Sequence, residues 1–399
     1  MRLSAVPLLL ALTVLTGCAA SATPAADPTA ATADTRAPRE VAEPPHHLTT
    51  IDPGGRVHHL DLADGGRDVI AEIKPVERLV SDGRYLFGIR EGSVTVIDSG
   101  VWTRSHGDHF HYHVGPVRVL GEVEGDGVPT VVPGVTGTGV MFRGEAVLLA
   151  ADALADGRIA ETFRIRVAAH DGLTVPLTEG ALVTEPDAAG APARLRVVTA
   201  DGSERSRIPC VGAAGTIATA VGVVVGCADG AVLAPGGDAA RAERIPYPAG
   251  AAPADVASAA GVFAARESRP RVAALAGERG VWILDTRARS WALQDVGEPI
   301  VRATAIDDVQ QRVAVLGADG SVLVLSQGRV AARTAPLVAE SLRDPDAAAT
   351  IELVVDQDHV YLNGPSERML WEIDPADDAR VTRTFATDTP PVHLAETGR

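Results

Sequence analysis

The sequence predicts an all-β fold, a β-propeller, on three observations. From residue 46 onward, short apolar runs are broken by Gly, Asp and Asn turns, with few convincing amphipathic helices. One plan recurs: an apolar run, a turn, a second run, an Asp-Gly type of turn, a third run, then a polar fourth. The recurrence comes at roughly 40 to 50 residues, the length of a four-stranded propeller blade.

The copies can be followed along the chain. Segments 78–83, 85–90 and 93–98 form one, and 221–233 repeats it around Cys227-Ala-Asp-Gly. Residues 312–325 give another around Gly317-Ala-Asp-Gly, and 359–364 with 369–374 a further one. Dividing the ordered length by the period gives about seven or eight blades. Eight is favoured if the ring closes on a shared blade. Residues 391–395 then supply its inner strand, and 47–52, 56–62 and 68–73 its other three. Such a closure ties both ends of the domain into one sheet and protects its edges.

The first residues read differently. Met1-Arg2 precedes an apolar run from Leu3 to Leu15, then Leu15-Thr16-Gly17-Cys18. A short charged region, an apolar region of signal-peptide length and a small residue before cysteine make an export signal. Leu-Thr-Gly-Cys resembles a bacterial lipobox, which implies cleavage before Cys18 and a lipid on its thiol. Residues 1–18 are therefore expected to be a lipoprotein signal peptide, and the mature chain an exported protein anchored to the outer face of the plasma membrane. Residues 19–45 are dominated by Ala, Thr, Pro and Asp, with few large apolar side chains to offset ordering entropy, so they read as a flexible tether. Residues 46–399 are the propeller domain, about 350 residues and ample for a sizeable core. No later stretch is apolar for long enough to span a bilayer.

A net charge of −16, with 52 Asp and Glu against 36 Lys and Arg, argues against nucleic acid or an anionic membrane face as partner. With Cys18 given to lipid, Cys210 and Cys227 remain as a pair. In an oxidising compartment a disulfide is the default, worth roughly 3 kcal/mol by chain entropy, and two buried thiols are the alternative.

The chemistry concentrates at residues 106–113, His-Gly-Asp-His-Phe-His-Tyr-His, which hold four of the chain's eleven histidines. Neutral imidazoles beside one carboxylate suit Zn²⁺ among the common ions. In an extended backbone His109, His111 and His113 project to one side and Asp108 to the other. A turn at Gly107 lets His106 or Asp108 swing round to join them. His170 precedes the innermost strand of a middle blade and His393 starts the closing inner strand, so both belong near the channel mouth. His46, His47, His58 and His59 form two pairs that read as edge-strand or loop residues, with a weak auxiliary metal site as the other reading. His359 stands alone.

The histidine cluster, the His170-Asp-Gly-Leu-Thr-Val-Pro-Leu stretch and the Cys210–Cys227 segment together resemble the AztD-type zinc metallochaperones. These are exported β-propellers encoded with zinc ABC importers, and they pass zinc to the importer's solute-binding protein. The resemblance implies zinc as the metal, a disulfide between Cys210 and Cys227, and a carrier with no catalytic role. It matches His106, Asp108, His109, His111 and His113 to the family's cluster and His170 to a histidine before the Val-Pro-Leu stretch. It also implies a His-His pair where this chain has Ala169-His170, and a His-Gly where it has Ala214-Gly215. If those donors are ligands in the family, this chain binds zinc with fewer donors, uses a substitute such as His393, or has lost high-affinity binding.

The sequence therefore leads to a monomeric, lipid-anchored zinc carrier whose partner is the solute-binding protein of a zinc ABC importer, with no nucleic acid involved. Two other readings compete. A metal-free propeller scaffold predicts no stoichiometric zinc. A zinc hydrolase requires a general base, for which Asp171 or Asp108 would serve, but neither sits in a recognisable catalytic motif.

Overall fold

The computed structural model describes residues 37–107, 109–250 and 260–399. Cys18, the lipobox and most of the segment read as a tether lie outside these residues, as does Asp108. Within that span, Arg39–Val41 forms a short β-strand.

Among the described residues eight antiparallel four-stranded sheets form the blades, and a ninth, three-stranded sheet lies outside them. The ring closes as the sequence predicts. Val392–Thr397 is the inner strand of the closing blade, followed outward by His47–Ile51, Arg56–Asp61 and Arg67–Glu72. Leu48 pairs with Glu396 and Thr49 with Ala395, and the Thr49 and Thr397 hydroxyls are 2.9 Å apart. Two five-residue helices, Ala151–Ala155 and Pro345–Ala349, interrupt the strands. Among the described residues no helix is long and apolar enough to cross a membrane.

Strand position within a blade explains the burial. Ser93–Asp98 and Gly137–Phe142 are buried at every residue, because neighbouring blades cover both of their faces. The outermost strand Glu204–Pro209 is exposed along nearly its whole length, which is why its sequence is polar. The core therefore consists of apolar seams between blades. One joins Val322 and Val324 to Leu362, Trp371 and Ile373 of the next blade. The expected disulfide is present, between Cys210 and Cys227, and lies in such a seam.

Strand direction divides the molecule into two mouths. Neighbouring inner strands run parallel, as the bridge from Ala265 to Ala305 records. All inner strands thus start at one mouth and end at the other. His170 and His393 stand at starts; Glu396 and Asp356 stand at ends, beside strands Val392–Thr397 and Leu353–Val355. The third strand of each blade runs in the same sense as the inner one, so whatever follows it leaves from the mouth of the ends.

Candidate metal centre

The histidine cluster is not part of a blade. The second blade has inner strand Arg78–Ser81, then Tyr85–Arg90, Ser93–Asp98 and outermost Arg118–Glu124. Between its third and fourth strands the chain departs as a hairpin, Val101–Ser105 with Phe110–Val114. Leaving after Asp98, this hairpin rises from the mouth of the inner-strand ends. Arg39–Val41 adds a third strand to it, pairing Glu40 with His113 and Val41 with Tyr112.

The hairpin base is clamped. Asp98 is buried and accepts hydrogen bonds from Arg84 Nε (3.1 Å) and Nη2 (2.9 Å) and from Arg118 Nη2 (2.8 Å), so one carboxylate ties the point where the chain leaves the blade to the point where it returns. Burial pushes its acidity the other way, but the two guanidiniums outweigh that and hold it below the usual carboxylate range. The Arg84 guanidinium also lies 3.8 Å over the Trp102 ring, and Trp102 stacks on His113 at 5.0 Å. The Thr103 hydroxyl donates to the carbonyl of Gly398 at 2.6 Å, tying the stem to the chain's last residues.

At the tip, His106 and His109 stand opposite each other. His106 N–H donates to the His109 carbonyl at 2.9 Å, and Gly107 takes φ 91°, a left-handed conformation that glycine adopts at little cost. The turn brings the His106, His109 and His111 rings together, with centroids 4.8–5.5 Å apart. His109 Nε2 and His111 Nε2 are 2.9 Å apart. His111 and His113 share a strand face with ring centroids 6.5 Å apart, while the Trp102 stack holds His113 toward the base. His106 and His109 are exposed, and His111 and His113 half-buried.

Electrostatics prepare these rings for a cation. Glu40 Oε1 is 2.6 Å from His111 Nδ1, so Nδ1–H donates to the carboxylate and His111 Nε2 is left to act as the donor atom. That hydrogen bond, with the nearby imidazoles, lowers the Glu40 carboxyl below its ordinary value. A carboxylate behind a histidine fixes the tautomer and raises ligand basicity, as in many zinc sites. Desolvation, His111 and Arg104 lower His106, which favours the neutral form that a metal needs. Three imidazoles with a carboxylate-backed Nε2 pointing at a second Nε2 fit Zn²⁺ well.

The other expected donors lie elsewhere. His170 is buried before inner strand Thr174–Pro176. Its Nδ1–H donates to the Ala168 carbonyl (2.7 Å), and its Nε2 accepts from the Thr184 hydroxyl (2.8 Å). His393 occupies a bulge of the closing inner strand at φ 61°, and its Nε2–H donates to the Val76 carbonyl at 3.3 Å. Burial lowers the His393 imidazole, with that hydrogen bond pulling the other way. His170 and His393 are three blades apart at the mouth opposite the hairpin. Each is tied to its own surroundings and not to the cluster.

The central channel holds a cavity of about 620 Å³, lined by Val80, Thr130, Asp171, Ala214, Thr216 and Val262 among others. Ala214, where the resemblance implies a histidine, is part of that wall. No histidine lines the cavity among the described residues.

Sequence reading missed Glu40, which it placed in the tether. It also left unassigned a second group at the mouth of the inner-strand ends: His46, Asp356 and Glu396. Three-residue strands carry too little periodicity to be seen, and Arg39–Val41 pairs with a strand some seventy residues away, so only tertiary structure reveals Glu40.

Comparison with solved structures gives the same architecture. AztD from Citrobacter koseri superposes with a TM-score of 0.73 at 20% identity, covering 88% of this chain and 97% of that one. A structure of its apo form superposes equally well. The dihydro-heme d1 dehydrogenase NirN, in complex with DHE, gives a TM-score of 0.53 at 16% identity over 90% of this chain and 77% of that one. At such identities the likeness is one of fold, and the fold is of the AztD type. No protein-family profile matches the sequence, and no curated protein matches it.

Proposed function

We propose that this chain is an exported zinc metallochaperone that carries Zn²⁺ on its histidine hairpin and passes it to the solute-binding protein of a zinc ABC importer. The observation that carries the reading is the convergence of His109 Nε2 and His111 Nε2 beside His106, with Glu40 behind His111. Asp108, between His106 and His109 in sequence, is proposed as a further ligand, and His113 as the donor nearest the base. The AztD-type fold agrees with the reading.

The site's position suits transfer. A ligand set on an exposed hairpin tip is open to an incoming partner, whose own donors replace the imidazoles one at a time. A closed, buried four-coordinate site suits storage instead. Phe110 at the tip is 60% exposed and offers apolar surface for such docking. His170 and His393, hydrogen-bonded at the opposite mouth and absent from the cavity wall, are proposed as ligands only of an ion arriving at that mouth. The N-terminal lipid on Cys18 is proposed to hold the carrier at the membrane where an importer works.

Zinc competition against a chromophoric chelator tests the reading. Wild-type protein should hold zinc tightly at pH 7.5, and His109→Ala/His111→Ala should lose one equivalent. Affinity should also fall as pH drops through about 6.5, where imidazole takes up its proton. Unchanged binding in the double variant would reject the hairpin as the carrier site.

A further inference from the structure

Beside the hairpin base lies a group of side chains that the hairpin does not use. His46, Asp356 and Glu396 each offer one ligand atom, and these atoms all lie within 4.8 Å of one another. His46 Nδ1 is 3.9 Å from Glu396 Oε1. We propose that these three residues form a second divalent-cation site, at the mouth of the inner-strand ends, that takes Zn²⁺.

Glu396 is the observation that points to a ligand. Its side chain is wholly buried, yet neither carboxylate oxygen has a hydrogen-bond partner. Arg399 Nη1 approaches Oε2 to 3.1 Å without the alignment of a hydrogen bond, while Oε1 lies 3.9 Å from His46 Nδ1. Arg399 offsets part of the charge, but buried carboxylate oxygens that accept no hydrogen bond remain costly, and a coordinated cation lowers that cost.

The other two ligands are held in place. Asp356 Oδ1 accepts from the backbone N–H groups of Asp358 (2.7 Å) and His359 (2.6 Å), and its Oδ2 accepts from the Tyr361 hydroxyl (2.8 Å). Such outer contacts orient a ligating carboxylate. His46 is anchored through its carbonyl, which accepts from Leu62 N–H at 3.0 Å. The preceding Pro45 carbonyl packs so closely on Gly398, at φ 96°, that a Cβ there would lie 2.0 Å from it. One imidazole with two carboxylates suits Zn²⁺ better than Mg²⁺ or Ca²⁺, which take all-oxygen sets. Three protein ligands also leave a fourth position open.

The site is coupled to the hairpin by the chain's last residues. Glu396 leads through Gly398 and Arg399, whose carbonyls accept from the Thr103 hydroxyl (2.6 Å) and the Thr103 N–H (3.4 Å) of the hairpin stem. The site stands on its own geometry; only its role as a second station for the hairpin's zinc rests on the proposed function.

Equilibrium dialysis of the chelator-stripped full-length chain against Zn²⁺ alone, with melting temperatures recorded in parallel, tests the proposal. Wild type should bind two equivalents and His109→Ala/His111→Ala one. Adding Glu396→Gln should remove the remaining one while the metal-free protein melts no lower than its parent. Should Glu396→Gln fail to fold, His46→Asn, at a ring one-third exposed, carries the same test. Stoichiometry unchanged by the Glu396 or His46 variant overturns the second site. A double hairpin variant that binds no zinc also overturns it, and leaves the proposed function standing. Zinc lost with Glu396→Gln yet untouched by the hairpin variant supports the second site and overturns the hairpin reading.

Discussion

Glu40 decides which nitrogen of His111 faces a metal. Its carboxylate accepts the hydrogen bond of Nδ1–H at 2.6 Å, so Nε2 is the donor atom beside His109. Glu40→Gln keeps the side-chain length but replaces an anionic acceptor with a neutral amide. We expect zinc affinity to fall about 10-fold, the lower end of what outer-shell substitutions cost, measured by chelator competition. Residue chemistry elsewhere sets the pH response of the fold. Burial pushes the Glu352 carboxyl up to about 7, although Arg302 pulls it down. The folded protein thus keeps a proton that the unfolded chain releases above about 4.5. That contribution to stability is complete below pH 4.5 and is lost as pH rises through 7. Glu352→Gln should therefore be more stable than its parent at pH 8, by on the order of 2 kcal/mol. The two should differ less at pH 4.5, as urea unfolding at both values will measure.

At the scale of elements, the hairpin is a rigid bracket. Asp98, just before the outgoing stem, receives Arg118 from just after the returning one and Arg84 from the turn before Tyr85–Arg90, and Arg84 continues the stack onto Trp102 and His113. Removing one partner from a buried ion pair strands the others, so Asp98→Asn should cost about 3 kcal/mol in urea unfolding. It should also weaken zinc binding at the tip by loosening the stems. The sequence carried the histidine spacing but not this arrangement. Val101–Ser105 reads as an ordinary polar fourth strand of a blade, and nothing local marks it as leaving the sheet. The true fourth strand, Arg118–Glu124, follows after the detour. The expected sharing of one face holds for His111 and His113 because they lie on one strand. His109 lies before that strand and reaches the group through the turn at Gly107.

For the whole molecule, the sequence made the ring legible because each blade repeats the same apolar runs. The closing blade was legible because residues 391–395 supply an inner strand that the N-terminal segments lack. Closure is also what assembles the second cation group: His46 comes from the start of the domain, and Asp356 and Glu396 from its end. Residues so far apart share no sequence pattern, so only the closed ring brings them together. The same ring separates His170 and His393 from the hairpin, by setting inner-strand starts and third-strand ends at opposite mouths. In the proposed carrier the exchangeable ligands stand on an arm outside the propeller, with the scaffold beneath.

Zinc transfer to an importer's solute-binding protein tests this account most directly. Zinc-loaded protein should deliver its ion faster than it dissociates into excess chelator, and His109→Ala/His111→Ala should abolish that advantage. Transfer no faster than free dissociation, or transfer indifferent to both histidines, would contradict a carrier that works through its hairpin.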